Sequence, residues 1–286
     1  MAATPQRSRA HGTGIFWRPV FYLVLTVISV VTVLPFVFMA STSLTESFTM
    51  LSYPPRLVPD NANLQNYYDL VVEFQGGLFP RWFLNSVVTT AAITAGSVLL
   101  NTLAGYVFAK KVFVGRSLLF ALILSTLMVP AAVRLIPTFQ LVRSLNLYDS
   151  YGAIILPALA SPIGVFMMRQ FITGLPTELL EAAKIDGAGE LRIFVQIVMP
   201  LSKPAMAALA ILTAVTAWND LLWPLIVLPT ATLRTLTVGL ATLGGQFQVN
   251  YGMVMAGSVL SVLPMVVLYM LFQRQFVEGL RTGYGK

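Results

Sequence analysis

The chain has 286 residues, 57% of them hydrophobic and 10% charged, with a mean hydropathy of +0.79. A water-soluble domain carries about a quarter charged residues to wet its surface, so most of this surface must face lipid. There is no cysteine, which excludes disulfide frameworks, thiolate zinc sites and cysteine nucleophiles. The formal charge of +7 fits the basic loops of a membrane chain rather than nucleic-acid binding.

A helix needs roughly 20 apolar residues to cross the hydrocarbon layer, and six such runs follow one another. Ahead of the first lies a polar stretch with the single histidine, His11, read as a solvated tail residue. The first run, Pro19–Ala40, is too long for a cleaved signal core and lacks a small-residue cleavage site, so it is expected to persist as a helix. The loop that follows, about Ser41–Phe83, holds Pro54, Pro55 and Pro59 and the stretch Asn63-Leu64-Gln65-Asn66-Tyr67-Tyr68. That chemistry suits a docking surface or a plain connector equally.

The second run, Leu84–Ala109, is more polar. Ala92, Gly96, Asn101 and Gly105 repeat small or polar residues along one face, and Asn85, Thr89, Thr90, Thr94 and Ser97 add to them. Such faces let helices approach closely and hydrogen-bond, so this span is expected to be buried in the bundle or to line a path. The third run, Leu118–Leu135, is the weakest, with Arg134 near its outer end and Pro130 and Pro137 at hand. The fourth is Ala153–Ile172, the fifth Pro204–Leu228 and the sixth Gly252–Phe272.

Six spans put both termini on one side. That side holds Arg7, Arg9, Arg18, Lys110, Lys111, Arg116, Arg169, Lys184, Arg192, Lys203, Arg274, Arg281 and Lys286, thirteen of the 18 basic residues. The other holds Arg56, Arg81, Arg134, Arg143 and Arg234. Cytoplasmic loops carry such an excess, so both termini are expected in the cytoplasm.

One inner segment is long, Thr173–Lys203, and its core reads LPTELLEAAKIDGAGELRIFVQIVMP from Leu175 to Pro200. Pro176 and Thr177 suit a helix start, and Glu178 and Glu181 suit the positive end of its dipole. Gly187 supplies backbone freedom for a bend, and Asp186 is placed to cap a second helix, about Ala188–Val198, that stops at Pro200. A membrane-surface helix would carry a Lys/Arg-rich polar face. Here Glu178, Glu181, Asp186 and Glu190 outnumber Lys184 and Arg192, which suits a protein socket better.

Glu181-Ala182-Ala183, Gly187, Ile197 and Met199-Pro200 occur at a spacing that resembles the EAA loop of ATP-binding-cassette importer permeases. That pattern has Leu where this chain has Met199, a volume-conserving change. Asn66-Tyr67, Asn85-Ser86, Ile155-Leu156-Pro157, Ala217-Trp218-Asn219-Asp220 with Trp223-Pro224, and Gln273–Leu280 are similar to the carbohydrate branch, in its shorter permease partner. The tail, Gly283-Tyr284-Gly285-Lys286, departs from the family's usual ending.

The resemblance implies an all-α membrane protein of six transmembrane helices, with the type-1 importer permease fold, in a bacterial cytoplasmic (inner) membrane. It divides the chain into a tail (1–18), a first helix with its outer loop (19–83), a five-helix core (84–277) with the coupling loop at 175–200, and a second tail (278–286). It implies a heterodimeric second permease, two ATP-binding subunits and an extracytoplasmic solute-binding protein as partners. ATP and Mg²⁺ would be bound by the ATPases, because this chain has no G-x-x-x-x-G-K-[ST] phosphate loop, and no metal or catalytic set is read in it.

In that picture Glu181, Ala182, Ala183, Asp186, Gly187, Ile197 and Pro200 form the ATPase-docking loop. Gly187 permits close approach and the bend, Glu181 and Asp186 offer acceptors, and the two alanines keep the seat shallow. Ile197 and Pro200 anchor the segment on the bilayer side. Asn101, Trp218, Asn219 and Asp220 are the candidate substrate path.

Asp220 is the sole acid within an expected span, and such residues are functional candidates. The alternative is a packing contact with Asn219 or Arg134. Trp218 and Trp223 suit sugar stacking or a membrane interface. An ion-coupled secondary transporter would need titratable relays and internal repeats, and Asp220 and Arg134 are a thin basis for one. Importers of glycerol phosphate, polyols or peptides remain alternatives.

Overall fold

In lipid every backbone N–H and C=O must find its partner inside the protein, so apolar runs become helices. The computed structural model describes residues 14–45, 61–243 and 250–282, and their regular structure is helical throughout. Arg7, Arg9, His11, Pro54, Pro55, Arg56, Pro59 and the tail residues 283–286 lie outside the described residues, as do the side chains of Gln273–Leu280.

Helix α1 (Gly14–Ser43) passes Pro19 and Pro35 without a break and packs lengthwise against the last helix of the chain. Its side chains from Val20 to Val37 are largely exposed, as lipid contact requires. After it come α2 (Gln65–Tyr68), a wide turn and a tight turn. Gln75, Gly76 and Gly77 then have φ of 47°, 72° and 80°, a left-handed run that two glycines make accessible. It delivers the chain into α3 (Leu78–Lys110), which is unbroken over 33 residues and about 50 Å long at 1.5 Å per residue.

The third expected span is not one helix. Helix α4 (Arg116–Ser125), extended by a tight turn to Met128, meets α5 (Ala131–Ser144) at 109°. Pro130 is the cause: the residue before a proline is pushed into the extended region, and Val129 sits at φ −84°, ψ 116°. The arm Arg116–Met128 is about 20 Å long, too short to cover about 30 Å of hydrocarbon by itself.

The fourth span is α6 (Gly152–Leu159) and α7 (Pro162–Thr173), parted at Ala160 and Ser161 ahead of Pro162. Ser161 Oγ accepts from the Gly164 N–H at 3.2 Å and so caps α7. Between the fourth and fifth spans lie α8 (Thr177–Ile185), α9 (Glu190–Ile193), a wide turn at Phe194–Val198, and α10 (Met199–Leu201). Helix α11 (Lys203–Asn219) leaves the Glu190–Leu201 unit at 78°.

The expectation of one helix over Pro204–Leu228 is corrected as well. Helix α11 ends at Asn219, and α12 (Leu222–Val227) follows separately. Pro224 explains it, since its ring would strike the Asp220 carbonyl four residues back, and it has no N–H to offer there. Asp220 escapes into extended backbone at φ −68°, ψ 120°. The outer loop expected from Pro229 to Tyr251 contains a helix, α13 (Leu236–Leu243), and α14 (Tyr251–Thr282) closes the chain.

Helix α3 is the hub, with α6, α7, α11 and α13 packed against it. The small-residue face supplies the seam. A Cβ on Gly105 would lie 2.7 Å from Met168 Cβ and 2.8 Å from Arg169 N, while Gly164 lies against Asn101 and Gly96 against Leu159. Asn85, Thr89, Thr90, Ser97 and Asn101 are all buried. At one end of the bundle, Asn66 Nδ2 donates to Ser43 O (2.9 Å) and Thr45 O (2.8 Å), and Gly252 packs on the same amide. Helices α1 and α14 therefore run antiparallel, and residues 14 and 282 emerge at the opposite end, with Lys110 and α8.

Candidate functional site

The segment between α7 and α11 is a folded unit built on its own sequence. Thr177–Ile185 is made mostly of good helix formers, with Glu178 in the first turn and Lys184 in the last, both favoured by the helix dipole. Its end is a Schellman turn: the Ala188 N–H donates to Ala183 O at 2.9 Å and the Gly187 N–H to Lys184 O at 3.0 Å. That closure needs a left-handed residue, and Gly187 provides it at φ 80°. Among the described residues, chain neighbours aside, nothing lies within 4 Å of where a Gly187 side chain would start, so the space beside the bend is open.

Two details of the second helix differ from expectation. Asp186 occupies the C-cap of α8 with its side chain exposed and does not cap the next helix, which starts at Glu190 behind Gly189. A glycine N-cap tolerates the extended backbone there (φ −70°, ψ 161°) without a side-chain acceptor. The helix also runs past Pro200 to Leu201. The wide turn ahead of Pro200, in which the Met199 N–H reaches Phe194 O, moves the preceding carbonyls off the position where the proline ring would collide.

The unit has a buried base and an exposed crest. Leu180, Ile193, Phe194 and Val198 are buried together with Tyr106 of α3, Met168 and Ile172 of α7, and Leu209 of α11. Ala183 and Ile197 pack at the edge of that cluster. On the crest Glu181, Ala182, Asp186 and Gly187 are exposed, and so is Pro200. Three large apolar side chains are left uncovered: Leu179, Ile185 and Leu191 are 47%, 87% and 75% exposed.

Charge fastens the base to α3. Lys110 Nζ donates to Leu175 O at 2.6 Å and to Thr177 Oγ1 at 3.2 Å. Glu190 receives three partners: Lys111 Nζ in an ion pair, the Tyr106 hydroxyl at 3.0 Å, and Lys184 Nζ at 3.5 Å. The Lys111 hydrogen bond, aided by that of Tyr106 and by the nearby lysine charges, holds the Glu190 carboxyl below the usual carboxylate range. Sequence reasoning took Lys110 and Lys111 as orientation signals and counted Glu190 as one acid of four. Their pairing carries no sequence signature beyond opposite charge.

The second candidate group is engaged residue by residue. Asn101 is 1% exposed and spends its amide on the break in the fourth span: Nδ2 donates to Leu159 O at 3.1 Å and to Ser97 Oγ at 2.7 Å, while Oδ1 accepts from the Ser161 N–H at 3.1 Å. Trp218 is buried, donates Nε1 to Ser261 O at 3.1 Å, and meets Phe83 edge-on at 5.9 Å. Asn219 bonds back to Val215 O at 2.8 Å. Asp220 Oδ1 accepts from the Trp223 N–H at 3.4 Å, so its partner is neither Asn219 nor Arg134. Trp223 donates Nε1 to Ala153 O at 2.9 Å, pinning α12 to α6.

Trp218 also borders an apolar groove of about 530 Å³ between α3, α11 and α14, lined by Val87, Thr90, Thr94, Met206 and Met265 among others. Neither Asn101, Asn219 nor Asp220 lines it. At the N-terminal end of α3, Asn85 Nδ2 donates to Thr232 O (3.0 Å) and Arg234 O (2.9 Å) and its Oδ1 accepts from the Tyr151 hydroxyl (2.7 Å). Trp82 Nε1 reaches Ala231 O at 2.7 Å, and Ser86 Oγ accepts from the Leu236 N–H at 2.8 Å. These contacts carry no signature in the sequence.

Residues 101–282 match the family described as binding-protein-dependent transport system inner membrane component. Over 225 residues the chain is 43% identical to the arabinooligosaccharides transport system permease protein AraQ of Halalkalibacterium halodurans, covering 79% of this chain and 80% of that one. Over 206 residues it is 44% identical to the sn-glycerol-3-phosphate transport system permease protein UgpE of Yersinia pestis bv. Antiqua, covering 71% and 73%.

The fold matches a crystal structure of a bacterial ABC transporter involved in the import of the acidic polysaccharide alginate, with a TM-score of 0.81 over 95% of this chain and 99% of that one, at 23% identity. The architecture is that of the type-1 ABC importer permeases, in a multi-pass inner-membrane protein. The chain belongs to the family of inner membrane components of binding-protein-dependent transport systems.

Proposed function

We propose that this chain is one permease subunit of an ATP-driven importer that moves a sugar or oligosaccharide into the cytoplasm. In this reading a second permease completes the pore, and an external solute-binding protein delivers the substrate. Two ATPase subunits bind ATP and Mg²⁺, and this chain has no ATPase site. The 175–201 segment is the coupling element seated on one ATPase. Residues 14 and 282 share its end of the bundle, and thirteen of the 18 basic residues are assigned there, which supports cytoplasmic termini.

One observation carries this reading. A folded segment with a buried base leaves Leu179, Ile185 and Leu191 exposed on the same short stretch as the acceptors Glu181 and Asp186. Clustered exposed apolar side chains mark a protein contact, and apolar anchors ringed by polar groups are how such contacts gain affinity.

The substrate class rests on relatives named for arabinooligosaccharides. Relatives named for sn-glycerol-3-phosphate supply the second reading. The groove beside Trp218 favours the first, since no Lys or Arg lines it and an anion held there would go unpaired.

The absence of native cysteine makes the test direct. Single cysteines at Ala182 and Gly187, crosslinked in membranes that contain the native partners, are expected to join a nucleotide-hydrolysing subunit. Reaction with lipid and water alone would overturn the coupling reading. Uptake of labelled arabinooligosaccharide against labelled glycerol 3-phosphate into the same vesicles separates the two substrate classes.

A further inference from the structure

The coupling segment is joined by the chain to α7 and α11, and both routes to the outer face are interrupted. The fourth span is broken at Ala160 and Ser161, the fifth at Asp220 and Leu221. Extended residues interrupt the hydrogen-bonded ladder that makes a helix stiff, so a push on the segment is lost in part at each break.

Helix α3 has no such break over its 33 residues, and it is bonded at three levels. At the inner end Lys110 holds Leu175 O and Thr177, while Lys111 and Tyr106 hold Glu190. Midway, Asn101 bridges both sides of the fourth-span break. At the outer end Trp82, Asn85 and Ser86 hold Ala231, Thr232, Arg234 and Leu236.

We infer that α3, to which the coupling segment is not directly joined by the chain, is the rod that carries its displacement to the outer loops, and that Glu190, clamped by Lys111 and Tyr106, is the fastening. Glu190 is a positioning residue, since it acts on the outer face only through α3. The inference rests on the importer reading above. A stroke delivered at α8 reaches the 231–236 loop along one continuous helix, and the broken fourth span follows α3 because Asn101 and the Gly105–Met168 contact bind it there.

The test uses the whole assembly, purified with its ATPase partners into lipid nanodiscs. A single cysteine replaces Arg81, an exposed residue at the outer start of α3, and carries an environment-sensitive fluorophore. The probe is Mg-ATP with orthovanadate, and trapped nucleotide is counted in the same sample. In the otherwise native assembly, trapping is expected to change the emission.

Glu190→Gln is expected to trap as much nucleotide but to reduce the emission change about threefold, the scale of one exposed charge-assisted contact. Tyr106→Phe, which keeps the ring packed, should give a smaller loss. The exchanged pair Lys111→Glu/Glu190→Lys should recover the signal. A Glu190→Gln assembly with the full emission change overturns the inference and leaves the importer reading intact. An otherwise native assembly that traps no nucleotide overturns the importer reading.

Discussion

The Ser161 N–H donates to Asn101 Oδ1 at 3.1 Å, and Asn101 Nδ2 donates to Leu159 O at 3.1 Å. One carboxamide on α3 therefore satisfies the backbone on both sides of the fourth-span break. Extended residues at that depth persist only where protein groups replace the missing helical bonds.

Asn101→Leu keeps the volume and removes both bonds. It is expected to lower stability by about 1–3 kcal/mol, the cost of leaving buried backbone polar groups unpaired. Thermal unfolding in detergent checks it, with Asn219→Leu as the control, because the exposed Asn219 amide bonds only within its own helix.

Gly105 lets α3 and α7 touch. A Cβ there meets Met168 Cβ at 2.7 Å and the Arg169 backbone nitrogen at 2.8 Å, so Gly105→Val forces the helices apart at about 1–3 kcal/mol. Combining it with Met168→Ala should recover little of the loss in melting temperature, since alanine keeps the Cβ and the backbone atoms that the new side chain meets. Full recovery would show that the side chain alone sets the spacing.

Gly187→Asp should fold and insert, because the space around residue 187 is open. The left-handed backbone costs a non-glycine residue about 1–2 kcal/mol. The larger effect is expected on coupling, with ATP hydrolysis retained and uptake per ATP reduced in proteoliposomes. Uptake equal to that of the native chain would remove Gly187 from the docking surface.

Glu190 predicts a pH dependence of fixed sign. Lys111 lowers its carboxyl below the ordinary range in the folded chain. The ion pair therefore contributes fully above the ordinary carboxylate value and is lost as pH falls through the lower, folded value. Amide exchange across 188–193, corrected for intrinsic rates, should show protection falling on acidification. In Glu190→Gln, protection should already be lower and flat over the same window.

Much of this protein is legible locally. The lipid environment follows from composition, and among the described residues four of the six apolar runs lie on segments long and apolar enough to cross a membrane, the third and fifth being divided. The bent unit between α7 and α11 follows from Pro176, Gly187 and the apolar spacing between them. Prolines were the less legible part. Pro19, Pro35 and Pro264 lie inside continuous helices, whereas Pro130, Pro162 and Pro224 accompany breaks. The residue is the same in each case, and the outcome depends on whether neighbouring chain can satisfy the backbone that a break exposes.

The sequence by itself determined the solvent, the number of apolar runs, the family resemblance and the handle between α7 and α11. Each of these is a matter of residues close together along the chain. Only the tertiary structure decided which polar groups meet: Asn101 with Ser161 across 60 positions, Lys111 with Glu190 across 79, and Asn85 with Arg234 across 149. No periodicity or spacing encodes such pairs, because they form only when separate helices are brought side by side and their buried polar groups must be satisfied by one another.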